Sequence, residues 1–191
     1  MCRIAGAAGI EYDYESHLVA VERMCDSQKH GGPDDQGLYV SNHRKVILGN
    51  RRLSLLDLSA AGKMPLTYQS RYVITYNGEL YNFIELKTTL IQLGHQFTTG
   101  TDTEIIVAAF AQWREGAFVR FSGMFAFAIW DMIDEELYLV RDAAGIKPLY
   151  YSIVDETLIF ASEVRAFYAT KHNYAEYKNW PVYFMEIGRA H

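Results

Sequence analysis

The sequence predicts a layered α+β domain, and three observations carry that expectation. Short runs rich in β-branched and aromatic residues dominate the middle of the chain and return towards its end. Strands come first, then helices, then strands again, an order that argues against a parallel doubly wound sheet. The 191 residues, half hydrophobic and 14% aromatic, suit one domain with a sizeable core rather than a disordered chain.

The elements follow in order. Residues 3–5 open as a strand and run into the small, flexible Gly6-Ala7-Ala8-Gly9. Residues 15–29 set Leu18, Val19, Val21 and Met24 at broadly helical spacing. Residues 37–40 and 46–48 are expected to pair as a hairpin across the polar segment 41–45. Residues 71–76 form another strand, which ends on Asn77-Gly78. Asn82 then offers an N-cap with Glu85 three residues on, close to a capping box, and Gly94 stops that helix. A further helix follows Asp102, with Ile105, Ile106, Ala109 and Phe110 on its buried face. Residues 124–130, 136–140, 149–153 and 158–161 complete the strands, and no internal repeat or low-complexity tract interrupts the chain.

Composition narrows the function. A net charge of -5 and a pI near 5.7 disfavour broad binding to nucleic acid or to an anionic membrane. Two cysteines, Cys2 and Cys25, make no disulfide framework and fit a reducing compartment. No apolar stretch reaches the length of a membrane span, and no signal peptide opens the chain, so a cytoplasmic protein is expected. Six histidines are scattered without ligand spacing, so no metal site is expected.

The chemistry-bearing residues start at Cys2. If Met1 is removed, Cys2 carries a thiol and a free α-amine on one residue, and that amine has a pKa of about 7.7–8.0, low enough to serve as a base. A buried, inert thiol near the start of a chain is the plain alternative. Asn77-Gly78 after a strand could be a hairpin turn, but no second strand follows at once; Glu79-Leu80-Tyr81-Asn82 leads into a helix cap. The sharper reading points the Asn77 amide and the Gly78 backbone N–H at a developing oxyanion, with glycine admitting close approach of a substrate. Asp102, in Gly100-Thr101-Asp102-Thr103-Glu104, is an N-cap and could also hold a substrate ammonium. Arg52 is either a solvated charge at a strand end or a bidentate clamp for a carboxylate. Cys25 reads as a packed thiol, residues 124–130 as core, and Arg141, Asp142 and Lys147 as structural or interfacial rather than catalytic.

Together these segments resemble the glutaminase domain of the class II, N-terminal-nucleophile glutamine amidotransferases, most closely the asparagine synthetase branch. The matching stretches are Met1-Cys2, Gly32-Pro33-Asp34, Arg52-Leu53-Ser54-Leu55-Leu56-Asp57, Asn77-Gly78-Glu79-Leu80-Tyr81-Asn82, and Gly100-Thr101-Asp102-Thr103-Glu104. They continue through Gly123-Met124-Phe125-Ala126-Phe127-Ala128, Arg141-Asp142, Gly145-Ile146-Lys147-Pro148-Leu149-Tyr150-Tyr151 and Ser162-Glu163, in order, over residues 1–167.

The resemblance implies a four-layer α/β/β/α sandwich of two antiparallel sheets, the N-terminal-nucleophile hydrolase type, over residues 1–170. It implies Cys2 as nucleophile towards L-glutamine, with Asn77 and Gly78 as oxyanion donors. It further implies Arg52 on the substrate α-carboxylate, Glu79 and Asp102 on its α-ammonium, and backbone contacts at Leu56. The expected partner is an ATP-pyrophosphatase synthetase domain in the same polypeptide, which would use ATP and Mg²⁺ to make asparagine from aspartate; no cofactor is expected in this chain, and a homodimer is left open.

Two departures stand out. His30-Gly31-Gly32-Pro33-Asp34 puts Gly31 where the family usually has arginine, which bears on the order of the loop around the pocket. Residues 171–191 read as a truncated linker, with an artificial tail expected in the last few residues. A non-catalytic amino-acid-binding relative, or an amidotransferase with another acceptor, are the competing readings; Gly31 mildly favours the first.

Overall fold

The computed structural model describes residues 2–11, 13–54 and 62–170, and every strand pairing in it is antiparallel. Five strands form the first sheet: β1 (Arg3–Ala8), β2 (Asp35–Val40), β3 (Val46–Arg52), β8 (Tyr150–Val154) and β9 (Thr157–Ala161). Their order is β2-β3-β1-β9-β8. The second sheet has the order β4-β5-β6-β7, from β4 (Leu66–Tyr68), β5 (Tyr72–Leu80), β6 (Gly123–Asp131) and β7 (Glu136–Arg141). Helices α1 (Tyr14–Ser27) and α4 (Val164–Tyr168) cover the first sheet; α2 (Phe83–Gln92) and α3 (Asp102–Trp113) belong with the second. No helix among the described residues is long and apolar enough to cross a membrane.

Strand alternation builds the layers, because successive side chains leave a strand on opposite faces. In β1, Ala5 and Ala7 pack with Val21, Met24 and Cys25 of α1, whereas Ile4 and Ala8 meet the second sheet. The middle layer joins Ile4, Val46, Leu48 and Phe160 to Val73, Ala128 and Trp130. Each large apolar side chain buried there contributes about 1.5–3 kcal/mol. On the far side, Ile74, Tyr76 and Phe127 pack against Ile105, Ile106 and Phe110. The result is the expected α/β/β/α sandwich.

Several local expectations change. Strand β1 runs on through Gly6-Ala7-Ala8 instead of loosening there. Gly6 is needed because a Cβ would meet Phe160 at 2.4 Å and the Ile47 carbonyl at 2.6 Å. Strand β5 does not end at Asn77-Gly78; all its residues pair with β6, from Tyr72 opposite Asp131 to Leu80 opposite Gly123. Asn82 stands at the N-cap of α2 but makes no cap bond, because its amide donates to the Arg120 carbonyl (2.9 Å) and accepts from Ser122 N–H (3.0 Å). That ties the helix start to the start of β6. The N-cap of α3 is Thr101, not Asp102, which is the first helical residue. Helix α3 is buried all round from Asp102 to Phe110 rather than on one face. The short β4, α4 and the 3₁₀ turns Lys29–Gly31 and Arg114–Arg120 went unpredicted.

One ion cluster pins the β6–β7 hairpin. Asp131 is fully buried and accepts from Arg71 Nε (2.9 Å) and Arg114 Nη1 (2.5 Å), and from the N–H groups of Ile133 and Asp134 in the turn. Burial alone would push its carboxyl up, but the two guanidiniums and the turn amides outweigh it and hold it well below the usual carboxylate range. A depressed folded pKa gives stability that is present above the unfolded value, about 3.9, and is lost as pH falls through the folded one. Asp131→Ala is expected to cost about 2–3 kcal/mol at pH 7, somewhat less than for a fully buried pair because both arginines stay partly solvated. Urea unfolding from pH 7 to pH 3 should show the difference from wild type shrinking below pH 4; a difference independent of pH would refute the electrostatic origin.

Candidate active site

The alternation that builds the middle layer also gathers the polar residues at one end of it. Cys2 shares the face of Ile4, Arg52 that of Leu48 and Asn50, and Asn77 and Glu79 that of Val73 and Thr75. The two sheets are fixed beside this end by polar links. Asn50 Nδ2 donates to Thr75 Oγ1 and the Tyr76 carbonyl, both at 3.3 Å, and Thr75 Oγ1 donates to the Gly49 carbonyl at 3.0 Å.

Cys2 is half-buried, and its Sγ accepts from Leu53 N–H at 3.4 Å, with the Leu53 carbonyl at 3.6 Å. Burial pushes its thiol up; the Leu53 N–H and the Arg52 charge pull the other way without cancelling the effect. Arg52 is buried at the last position of β3. The Gly32-Pro33-Asp34 motif latches that end: Arg51 Nε donates to the Gly32 carbonyl (3.1 Å), Asp34 N–H to the Arg52 carbonyl (3.0 Å), and Ser54 N–H to Asp34 Oδ2 (2.8 Å). Gly32 is required there, since a Cβ would lie 2.4 Å from the Arg51 carbonyl.

Asn77 is 1% exposed, and among the described residues neither its Oδ1 nor its Nδ2 has a hydrogen-bond partner. A buried amide left unpaired costs about 1–3 kcal/mol. Packing also demands Gly78: a Cβ there would meet the Met124 carbonyl at 2.4 Å and Phe125 Cα at 2.7 Å on β6.

Asp102 is buried and accepts from Tyr76 Oη (2.8 Å) and Leu80 N–H (2.9 Å), which is why it ties β5 to α3 instead of capping the helix. Burial raises its carboxyl despite these donors. Glu79 is raised as well, first by burial and then by the Asp102 charge, with Lys147 partly offsetting. Lys147 is the residue whose place the sequence did not disclose. It is 2% exposed, its ammonium is lowered by burial and by Arg3, and its charge is felt at Glu79 and Cys2. Asp142 holds its loop by accepting from the N–H groups of Phe125, Ile146 and Lys147, while Arg141 Nε donates to the Lys147 carbonyl. Leu56 lies outside the described residues. Cys25 is fully buried against Gly49 and its thiol is pushed up to about 12, chiefly by burial.

Comparison with known proteins supplies the frame for this geometry. The sequence profile of the glutamine amidotransferase domain matches residues 1–186. The chain belongs to that family. This amidotransferase domain is 42% identical over 144 residues to asparagine synthetase (glutamine-hydrolyzing) 1 of Bacillus subtilis, a match covering 75% of the chain and 22% of that protein. Against asparagine synthetase (glutamine-hydrolyzing) 2 of the same organism it is 36% identical over 191 residues, covering 98% of the chain and 25% of the relative. The domain therefore spans about a quarter of the length of these curated relatives. Among solved structures, the glutamine phosphoribosylpyrophosphate amidotransferase of B. subtilis superposes with a TM-score of 0.71 at 18% identity, covering 87% of this chain and 43% of that one. At that identity the likeness speaks for the fold, and it agrees with the sandwich described above.

Proposed function

We propose that this domain hydrolyses L-glutamine to glutamate and ammonia, with Cys2 as the nucleophile. The observation that carries the reading is the buried amide of Asn77, unpartnered among the described residues, at the same end of the layer as Cys2. A donor kept dry and unpaired costs stability in the resting protein and gains its partner when an oxyanion develops.

In this reading Met1 is removed, and the freed α-amine of Cys2 takes the Sγ proton through a water. The sulfur attacks the side-chain amide carbon of glutamine, and the carbonyl oxygen becomes an oxyanion held by Asn77 Nδ2 and the Gly78 N–H. The proton passes to the amide nitrogen, the C–N bond breaks, and ammonia leaves a γ-glutamyl thioester. Water then attacks that thioester, with the same amine as base, and releases glutamate and the free thiol.

A zwitterionic substrate needs an anchor of each sign. Arg52 takes the α-carboxylate in a bidentate fork, and Leu56 adds backbone contacts. Glu79 and Asp102 take the α-ammonium. Their raised carboxyls support this, because each would gain from a cation placed between them. The ammonia then passes to a synthetase region, for which the names and greater length of the relatives speak. There, ATP and Mg²⁺ would activate aspartate for conversion to asparagine.

The test is direct. The chain with Met1 removed is incubated with L-glutamine, and glutamate and a γ-glutamyl adduct on Cys2 are followed by mass spectrometry. Both are expected in the native chain and neither in Cys2→Ala; binding without turnover would favour the non-catalytic relative.

A further inference from the structure

We propose that Arg3 is a positioning residue for the nucleophile: its guanidinium, clamped by Glu163 and seated on Gly31, fixes the backbone of Cys2. The inference rests on the reading of Cys2 as nucleophile, and it gives Gly31 a reason.

Arg3 follows Cys2 directly and points to the opposite face of β1, away from the substrate end. Its Nε donates to Glu163 Oε1 at 2.5 Å, and its Nη1 donates back to the Cys2 carbonyl at 3.0 Å. One planar fork therefore joins a carboxylate on the neighbouring segment to the peptide group of the nucleophile. Glu163 is itself gripped from two further sides, by His30 Nε2 at 3.0 Å and Arg165 Nε at 3.2 Å. Burial raises the Glu163 carboxyl, but Arg3, His30 and Arg165 together bring it below the ordinary range, so it stays ionised. Next to it, Ser162 accepts from Ile4 N–H through Oγ (2.9 Å) and donates its own N–H to the Ile4 carbonyl (2.9 Å). The clamp is thus fastened to β1 on both sides of Arg3, at Cys2 and at Ile4.

Gly31 completes it. A Cβ at position 31 would lie 2.6 Å from Arg3 Cζ and 2.8 Å from its Cγ and Nε. Arg3 fills the volume a side chain at 31 would occupy, and Arg3 and Glu163 side chains are only 22% and 17% exposed. The departure at Gly31 is then no loss of order in the loop. The guanidinium beside this loop comes from position 3, and a bare position 31 leaves the room that it occupies.

The consequence for chemistry is geometric. Cys2 has a single peptide bond after it to set the direction of both its amine and its sulfur. With the clamp removed, the Sγ departs from its place beside Leu53, and displacements of about 1 Å cost up to about 100-fold in rate.

Arg3→Gly and Arg3→Gln, with Gln keeping the stem but not the fork, are expected to lower kcat by about 10- to 100-fold with KM within about twofold. Both should also slow alkylation of Cys2 by iodoacetamide and alter its pH profile, read peptide by peptide; buried Cys25 remains silent. Gly31→Arg alone is expected to be worse than either, and the exchange Arg3→Gly with Gly31→Arg should recover kcat to within about threefold of the native chain, a reciprocity only neighbouring residues show. Native kcat and alkylation in Arg3→Gly and Arg3→Gln would overturn the proposal, as would losses that simply multiply in the exchange variant. Turnover surviving in Cys2→Ala would instead sink the nucleophile reading, and the alkylation rates would still report on Arg3.

Discussion

Blocking the α-amine of Cys2, by acetylation or by retention of Met1, is expected to lower glutamine hydrolysis about 10²- to 10⁴-fold while leaving glutamine binding within about threefold. The reason lies in the environment of the sulfur. Burial holds the thiol above its ordinary pKa, and the Leu53 N–H with the Arg52 charge only moderates this. Near neutrality, then, little thiolate forms unaided, and a base within reach has to take the proton during attack. Asp102 is committed to Tyr76 and Leu80, and Glu79 is assigned to the substrate ammonium. The α-amine is joined to the same residue and has a pKa of about 7.7–8.0. As an amide nitrogen it loses its basicity altogether, while the anchors at Arg52, Glu79 and Asp102 are untouched. In the processed chain kcat/KM should therefore rise with pH through the titration of the amine, and the acetylated chain should lack that rise. Steady-state assays from pH 5.5 to 9 on both forms decide it; equal rates in the two would remove the amine from the mechanism.

How much of this could be read from the sequence depends on distance along the chain. The hairpin of β2 and β3, the long apolar β6 and the helix after Asp102 were legible because their signals are local: period, turn residues, chain length. The convergence of Cys2, Arg52, Asn77 and Glu79 followed from resemblance, and strand alternation now gives it a physical reason. Misreadings arose where packing overrides a local preference. Gly6 looked like a loosening point and Asn77-Gly78 like the end of a strand, yet both glycines lie within strands, where a neighbouring element leaves no room for a side chain. Asn82 and Asp102 looked like caps, but their side chains are drawn to Ser122 and Arg120, and to Leu80 and Tyr76. The clamp of Arg3 on Glu163 spans 160 positions, and no pattern within the sequence signals a pair so far apart. Three residues in β4 and five in α4 are too few for periodicity to show.

Asn77→Leu is expected to lower kcat about 10²- to 10³-fold and yet leave the domain as stable as before, or more stable by about 1 kcal/mol. These two effects rarely go together. A core substitution ordinarily costs stability because it opens a cavity or strands a partner. Here leucine keeps the branched outline of asparagine, with two somewhat larger methyls in place of the amide oxygen and nitrogen, and among the described residues Asn77 Oδ1 and Nδ2 leave no partner behind. What is removed is a desolvated dipole that the resting fold carries without return. During attack the same dipole faces a full negative charge from a buried position, where one such donor contributes about 2.7–4 kcal/mol. Asn77→Asp separates the two contributions further: a carboxylate at that point repels the oxyanion, so activity should fall at least as far, and its own burial should make the fold progressively less stable as pH rises above the unfolded carboxyl pKa of about 3.9. Denaturant midpoints and single-turnover acylation rates on the three proteins provide the comparison. If Asn77→Leu destabilised the domain by several kcal/mol, the amide would have to be structural. If it were instead stable and fully active, the oxyanion would be held elsewhere.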